Sequence, residues 1–202
     1  MLTFYTNPQS RGQIAHWMLE EVGQPYETVV IEYAHNREPS YLAINPMGKV
    51  PALAEDGHVV TEAAAIIAWL AQRFPDAGLL PNADEAADYY RWLFFAAGPI
   101  EQATSAKAMG WTIDDPARGR MLGFGDFARP YTVLAQHLAN RDYVCGDRFT
   151  AADVYVGSQI DWGLQFGSIP AEPAFTAYAE RLRGRPAYKR TKELNAALMA
   201  GA

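Results

Sequence analysis

At 202 residues the chain has room for one large domain or two small ones, and its net charge of −6 argues against a nucleic-acid or anionic-membrane surface as the main partner. Its longest apolar block, AAAIIAWLA at 63–71, is far shorter than the roughly 20 residues that span a bilayer, and Asn7, Pro8 and Arg11 interrupt the start before a signal-like apolar core forms. A single cysteine, Cys145, excludes an intrachain disulfide and a Cys-x-x-Cys centre, so the chain reads as soluble and cytoplasmic.

LTFY at 2–5 is a short apolar run of strand type. Ile14, Trp17, Met18 and Val22 follow at helical spacing, with Gly23 where a C-terminal cap belongs. YETVVIEY at 26–33 mixes β-branched and aromatic residues, as strands do, and the polar stretch after it holds a short helix around 38–44. VPALAEDGHVV then places two strands about Asp56-Gly57, a strong hairpin dipeptide. From Thr61 a helix puts Ile66, Ile67, Leu70 and Phe74 on one face. The order β-α-β-α-β-β-α is that of a small α/β domain.

After Pro75 the character changes, and no further strand signal is found. Helical patterns run over 84–109, 118–139, 151–164, 172–182 and 186–199, separated by glycines and prolines. The expected organisation is therefore an α/β domain over 1–77, a linker at 78–83 and an all-α domain over 84–202.

Ser10 and Gln13 have the spacing of a capping box, which would satisfy backbone donors at the start of the first helix. The same helix end favours an anion, so a thiol held there would ionise more easily, with the Ser10 hydroxyl as its hydrogen-bond donor. One hydroxyl orientation cannot serve both roles. In MGKVPAL at 47–53, Pro51 stands at a strand start, and most X–Pro bonds are trans. Thr61 is expected to cap the third helix with Glu62 in its first turn, either as an acidic first turn or as the acceptor for a ligand ammonium group. Thr150 and Asp153 form a structural capping box.

In this order and spacing the segments resemble the cytosolic glutathione transferase family, bacterial type, across nearly the whole chain. The residues that carry the likeness are strand-turn-Ser-Arg-helix at 2–22, NPMGKVPAL at 45–53, Thr61-Glu62, GDRFTAADV at 146–154 and RPAYKR at 185–190. The resemblance implies a thioredoxin-like N-terminal domain binding glutathione as co-substrate, an α-helical C-terminal domain supplying most of the second-substrate pocket, and no metal. It matches Ser10 to the residue that activates the glutathione thiol. Tyr5 lies where tyrosine-type members place a catalytic phenol. Val50 matches the residue whose backbone pairs with the cysteinyl part of glutathione, ahead of the family's cis-proline, Pro51. Glu62 matches the acidic residue that holds the γ-glutamyl ammonium group. Arg11 either supports the thiolate or faces solvent. The family usually has serine after that acidic residue, and Ala63 here removes one hydrogen bond to the γ-glutamyl carboxylate.

The activity implied is conjugation of glutathione to a small hydrophobic electrophile, a detoxification chemistry, by a homodimer. A glutathione-dependent disulfide or peroxide reductase and a non-catalytic binding protein are the alternatives on the same scaffold. Trp111, Phe124 and Phe127 either line the electrophile pocket or pack in the core. Cys145 is expected buried and inert, and the basic run Arg181, Arg183, Arg185, Lys189 and Arg190 is expected to form a solvated helix face.

Overall fold

Strand β1 (Leu2–Thr6) buries Leu2, Phe4 and Thr6 and leaves Thr3 and Tyr5 partly exposed, the alternation of a pleated strand. Helix α1 (Gly12–Val22) carries the chain back, so that β2 (Tyr26–Val30) pairs parallel to β1 with Leu2 opposite Tyr26 and Thr6 opposite Val30. Gly23 ends α1 as expected, its N–H donated to the Leu19 carbonyl at 2.9 Å. A four-residue helix, α2 (Pro39–Leu42), precedes the loop into β3 (Ala52–Glu55), which runs antiparallel to β1. The Asp56-Gly57 turn, with φ of 50° and 85°, then joins β3 to β4 (His58–Thr61). Positive φ at both central residues is the hairpin geometry that matches strand twist. The sheet order is β2-β1-β3-β4, and α3 (Ala63–Arg73) buries Ile66, Ile67 and Leu70.

The computed structural model describes residues 1–200, in two compact units: Met1–Leu80 together with the described residues from Gly184 onward, and Pro81–Arg183. The first unit has the mixed sheet and element order of a thioredoxin-like domain. Its membership differs from the expected 1–77 at the far end of the chain, because helix α10 (Pro186–Ala200) packs on α1. The reason lies in the side chains. Arg185 makes a two-pronged ion pair with Glu21, both bonds at 2.7 Å, Asn195 Oδ1 accepts from His16 Nδ1 at 3.0 Å, and the Tyr188 ring meets Trp17 edge-on at 5.2 Å.

The second unit is helical: α4 (Ala86–Phe95), α5 (Glu101–Ala108), α6 (Pro116–Gly119), α7 (Arg129–Leu138), α8 (Ala151–Gln165) and α9 (Pro173–Arg183). The single helix expected over 84–109 is interrupted by a wide π-type turn at Ala96–Ile100, where Pro99 lacks the N–H a regular ladder needs. The helix expected over 118–139 is shorter. The stretch with Gly119, Gly123 and Gly125 holds only the one turn of α6, and the apolar periodicity becomes a helix at Arg129. Helix α8 is the core element, with 12 of its 15 residues buried, and it opens with the predicted Thr150–Asp153 capping box. Asp153 is fully buried and accepts four hydrogen bonds, from the amides of Val144 and Thr150 and the hydroxyls of Thr150 and Tyr178. No helix among the described residues is long and apolar enough to cross a membrane.

Candidate active site

The corner between β1 and α1 is built by Asn7. Its buried side chain donates Nδ2–H to the Ile31 carbonyl at 3.1 Å and accepts the Gln9 amide on Oδ1 at 2.9 Å, tying the turn to the end of β2. Its carbonyl accepts twice from Ser10, from the amide at 3.1 Å and from the hydroxyl at 2.6 Å. Ser10 Oγ in turn accepts the Gly12 amide at 2.9 Å. The expected capping box is therefore not formed. Gln13 donates Nε2–H to the Pro8 carbonyl, the Ser10 amide goes to the Asn7 carbonyl instead of the Gln13 side chain, and α1 starts one residue later, with Arg11 at its cap position. The amides of Gly12, Gln13 and Ile14 all have partners within the turn. An anion at this end thus meets the helix dipole and the Ser10 hydroxyl rather than a row of free N–H groups.

A second segment stands opposite. The Lys49 carbonyl accepts from the Tyr41 hydroxyl at 2.6 Å and from Asn45 Nδ2 at 2.7 Å, while Asn45 Oδ1 accepts the Met47 amide at 3.1 Å. Gly48 sits at φ 61°, and a β-carbon there would lie 2.6 Å from the Asn36 carbonyl oxygen, so glycine lets the loop close on the segment after β2. The Val50–Pro51 bond is cis. Among the described residues neither the N–H nor the C=O of Val50 has a hydrogen-bond partner. Between the two segments lies a pocket of about 200 Å³, walled by Ser10, Arg11, Ile31, Tyr33, Lys49 and Val50. The Tyr33 hydroxyl donates to the Gln9 carbonyl at 3.1 Å, across the two chain segments.

Tyr5, the other candidate phenol, does not line this pocket; its ring packs against Tyr41, with centroids 6.0 Å apart. Burial pushes the Tyr41 hydroxyl up to about 12, so it remains a protonated donor at neutral pH. Thr61 does not cap α3: it is the last residue of β4, and the cap position belongs to Glu62. Glu62 has φ 66° and ψ 119°, a conformation that costs a non-glycine residue about 1–3 kcal/mol, and its side chain is exposed. Ala63 is buried as the first residue of α3.

In the second unit Phe124 is buried and stacks with half-buried Phe127, centroids 5.5 Å apart, and both line a hollow of about 850 Å³. Trp111, 64% exposed, belongs to neither core nor hollow. Cys145 is half-buried, and burial first of all pushes its thiol up to about 11, in keeping with an inert thiol. The basic run is not simply a solvated face. Arg181 pairs with Asp142, Arg183 with Asp161, Arg185 with Glu21 and Arg190 with Glu20. Among the described residues no group of three or more His, Cys, Asp or Glu is disposed to hold a metal ion.

The structure thus brings Ser10, Arg11 and Val50 to one pocket, with Pro51 next in the chain, whereas Tyr5, Glu62 and Ala63 do not line it. Sequence reasoning missed Asn7, Tyr41 and Asn45. The signal for two of them was present in the Asn-Pro pairs at 7–8 and 45–46, whose asparagines cap their own turns.

Residues 5–78 match the family model of the glutathione S-transferase N-terminal domain, and residues 123–186 match that of the C-terminal domain. The chain is 28% identical over 189 residues to glutathione S-transferase GST-4.5 of Xanthomonas campestris pv. campestris, covering 90% of this chain and 92% of that protein. It is 26% identical over 193 residues to glutathione S-transferase GstA of Escherichia coli O157:H7, covering 92% and 94%. Among solved structures it resembles a glutathione transferase from Methylococcus capsulatus str. Bath, with a TM-score of 0.80 and 27% identity over 97% of this chain and 99% of that one. A theta class glutathione S-transferase from Xanthomonas axonopodis pv. citri with glutathione bound is similar at a TM-score of 0.74 and 28% identity, covering 94% and 96%.

Proposed function

The chain belongs to the glutathione S-transferase family, and on that premise we propose that it binds glutathione along its first unit and joins the thiolate to a small hydrophobic electrophile. The sulfur attacks an electrophilic carbon, a C–S bond forms, and the leaving group departs with its electron pair. The thiol proton has gone to solvent by then. The enzyme's task is to lower the thiol pKa and to hold the sulfur in place.

One observation carries the assignment of Ser10: it lines the 200 Å³ pocket at the N-terminus of α1, whereas Tyr5 does not line that pocket. The Gly12 amide donated to Ser10 Oγ polarises the O–H and makes it a better donor to a thiolate. When that proton turns from the Asn7 carbonyl to the sulfur, the Ser10 amide still satisfies the carbonyl. Arg11 and Lys49 add positive charge to the pocket wall. The unpaired Val50 backbone supports its pairing with the cysteinyl part of glutathione, with Pro51 holding the turn. The strained Glu62 supports an acceptor for the γ-glutamyl ammonium, beside the Ala63 amide for the carboxylate.

The protein works as a homodimer in the cytoplasm, in electrophile detoxification. Tyr90 and Phe94, 54% and 68% exposed one turn apart on α4, offer an apolar patch to a second copy, and its lone cysteine suits a reducing compartment. Sedimentation tests the dimer.

The decisive experiment is spectroscopic titration of the bound glutathione thiol. It is expected to ionise well below the roughly 8.5 of an ordinary thiol. Ser10→Ala is expected to return it most of the way and to slow turnover about ten- to a hundredfold, as loss of a hydrogen bond to a charged acceptor implies. Unchanged turnover would sink the assignment.

A further inference from the structure

We infer that Tyr41 and Asn45 are positioning residues that aim the Val50 amide into the glutathione pocket by clamping the Lys49 carbonyl from behind. Both side chains are buried, at 4% and 3% exposure, and both donate to the same oxygen, at 2.6 Å and 2.7 Å. A carbonyl oxygen has two lone pairs, so this one is saturated and cannot turn without losing both bonds. The Lys49–Val50 peptide is planar and trans, which sets its C=O and N–H in opposite directions. With the carbonyl held by the buried pair, the Val50 N–H faces the other way. That direction is the pocket, which Val50 lines and where its N–H has no protein acceptor.

The clamp is itself held. Asn45 Oδ1 accepts the Met47 amide, the Asn45 amide donates to the Tyr41 carbonyl at 2.8 Å, and the Gly48 amide donates to the Asn45 carbonyl at 2.8 Å. The Tyr5 ring packs against Tyr41, with centroids 6.0 Å apart. The inference rests on the reading of Val50 given above, and it separates two jobs: Ser10 acts on the sulfur, and Tyr41 with Asn45 on backbone recognition.

Calorimetry and steady-state kinetics with glutathione on Tyr41→Phe and Asn45→Ala test it. Each variant is expected to weaken glutathione binding and raise its KM roughly three- to tenfold, as loss of one hydrogen bond implies. The thiol pKa of bound glutathione and kcat at saturation should stay at wild-type values, a split that a general loss of stability does not produce. A Tyr41→Phe protein that binds as tightly as wild type, or whose bound thiol shifts its pKa, overturns the inference. If both variants misfold, hydrogen exchange on the wild type decides. The Val50 amide must exchange rapidly in the free protein and become protected at saturating glutathione, and a lack of protection overturns the clamp. A wild type that gives no heat with glutathione overturns the function proposed above, and the clamp with it.

Discussion

Helix α1 begins so close to the end of strand β1 that a β-carbon on Gly12 would stand 2.0 Å from Thr6 Oγ1. Thr6 is fully buried and its short side chain has nowhere to retreat, so the contact sets the height at which α1 leaves the sheet. Ser10 sits two residues before that contact and is bonded to the Gly12 amide, so the same contact sets where the hydroxyl lies.

Gly12→Ala should therefore harm stability and chemistry together. Overpacking at a buried position costs about 1–3 kcal/mol. Urea unfolding should show that loss, and titration of bound glutathione should show a thiol pKa moved toward its free value. An alanine variant with normal stability would mean that the helix start has room the geometry denies it.

Ala63→Ser is expected to act in the opposite sense. Ala63 opens α3 beside the strained Glu62, where the family usually offers a serine hydroxyl. Restoring the hydroxyl should tighten glutathione binding up to about tenfold, the worth of one hydrogen bond of roughly 0.5–1.5 kcal/mol. Calorimetry on the two proteins side by side reads this directly. Equal or weaker binding would show that another group already holds the γ-glutamyl carboxylate.

Asp153→Ala should be the most damaging single change in the second unit. The carboxylate is the shared acceptor for two amides and two hydroxyls at the start of the buried α8. Its removal strands several buried donors, a loss of about 3–5 kcal/mol. Chemical denaturation followed by circular dichroism measures it. A loss below about 1 kcal/mol would mean that the donors find water.

Acid should weaken the fold through His137. Its Nε2–H donates to the Val144 carbonyl at 2.8 Å, and the ring packs on Trp92 with centroids 4.1 Å apart. Burial, the largest influence, holds its pKa below the ordinary 6.5, against the pull of the Val144 bond. Below that value the unfolded chain takes up a proton that the folded chain refuses. The contribution of His137 is therefore full above about pH 6.5 and falls as pH drops, by at most about 1.4 kcal/mol per unit. His16, also lowered mainly by burial, adds to the slope in the same sense. Urea midpoints at pH 7.5 and 5.5 should differ less in His137→Phe than in wild type. An unchanged difference would remove His137 from the account.

Two stretches that meet at the pocket are legible in the sequence: Ser10 follows a strand-turn-helix pattern, and Val50 stands in NPMGKVPAL. Each of these is a short-range pattern, and short-range patterns survive because turn, strand and cap preferences act over a few residues. The misreadings share a different cause. Gln13 could have closed a capping box with Ser10, but the Asn7 carbonyl and Pro8 carbonyl offered better placed acceptors. Thr61 could have capped α3, but the sheet kept it as the end of β4 and moved the corner to Glu62. The basic run looked solvated because its acidic partners lie far away in sequence, as Glu21 does from Arg185 and Glu20 from Arg190, at 164 and 170 residues' separation.

The sequence by itself therefore determined the element order from β1 to α3, the change from α/β to all-α character after it, and the family likeness. These follow from periodicity and from turn chemistry, whose range is one helical turn or one hairpin. Only the tertiary structure decided that α10 joins the first unit, that Tyr5 backs Tyr41 instead of lining the pocket, and that the Ser10 proton rests on the Asn7 carbonyl. Those outcomes are competitions among hydrogen-bond acceptors and packing surfaces that meet only when distant parts of the chain are brought together.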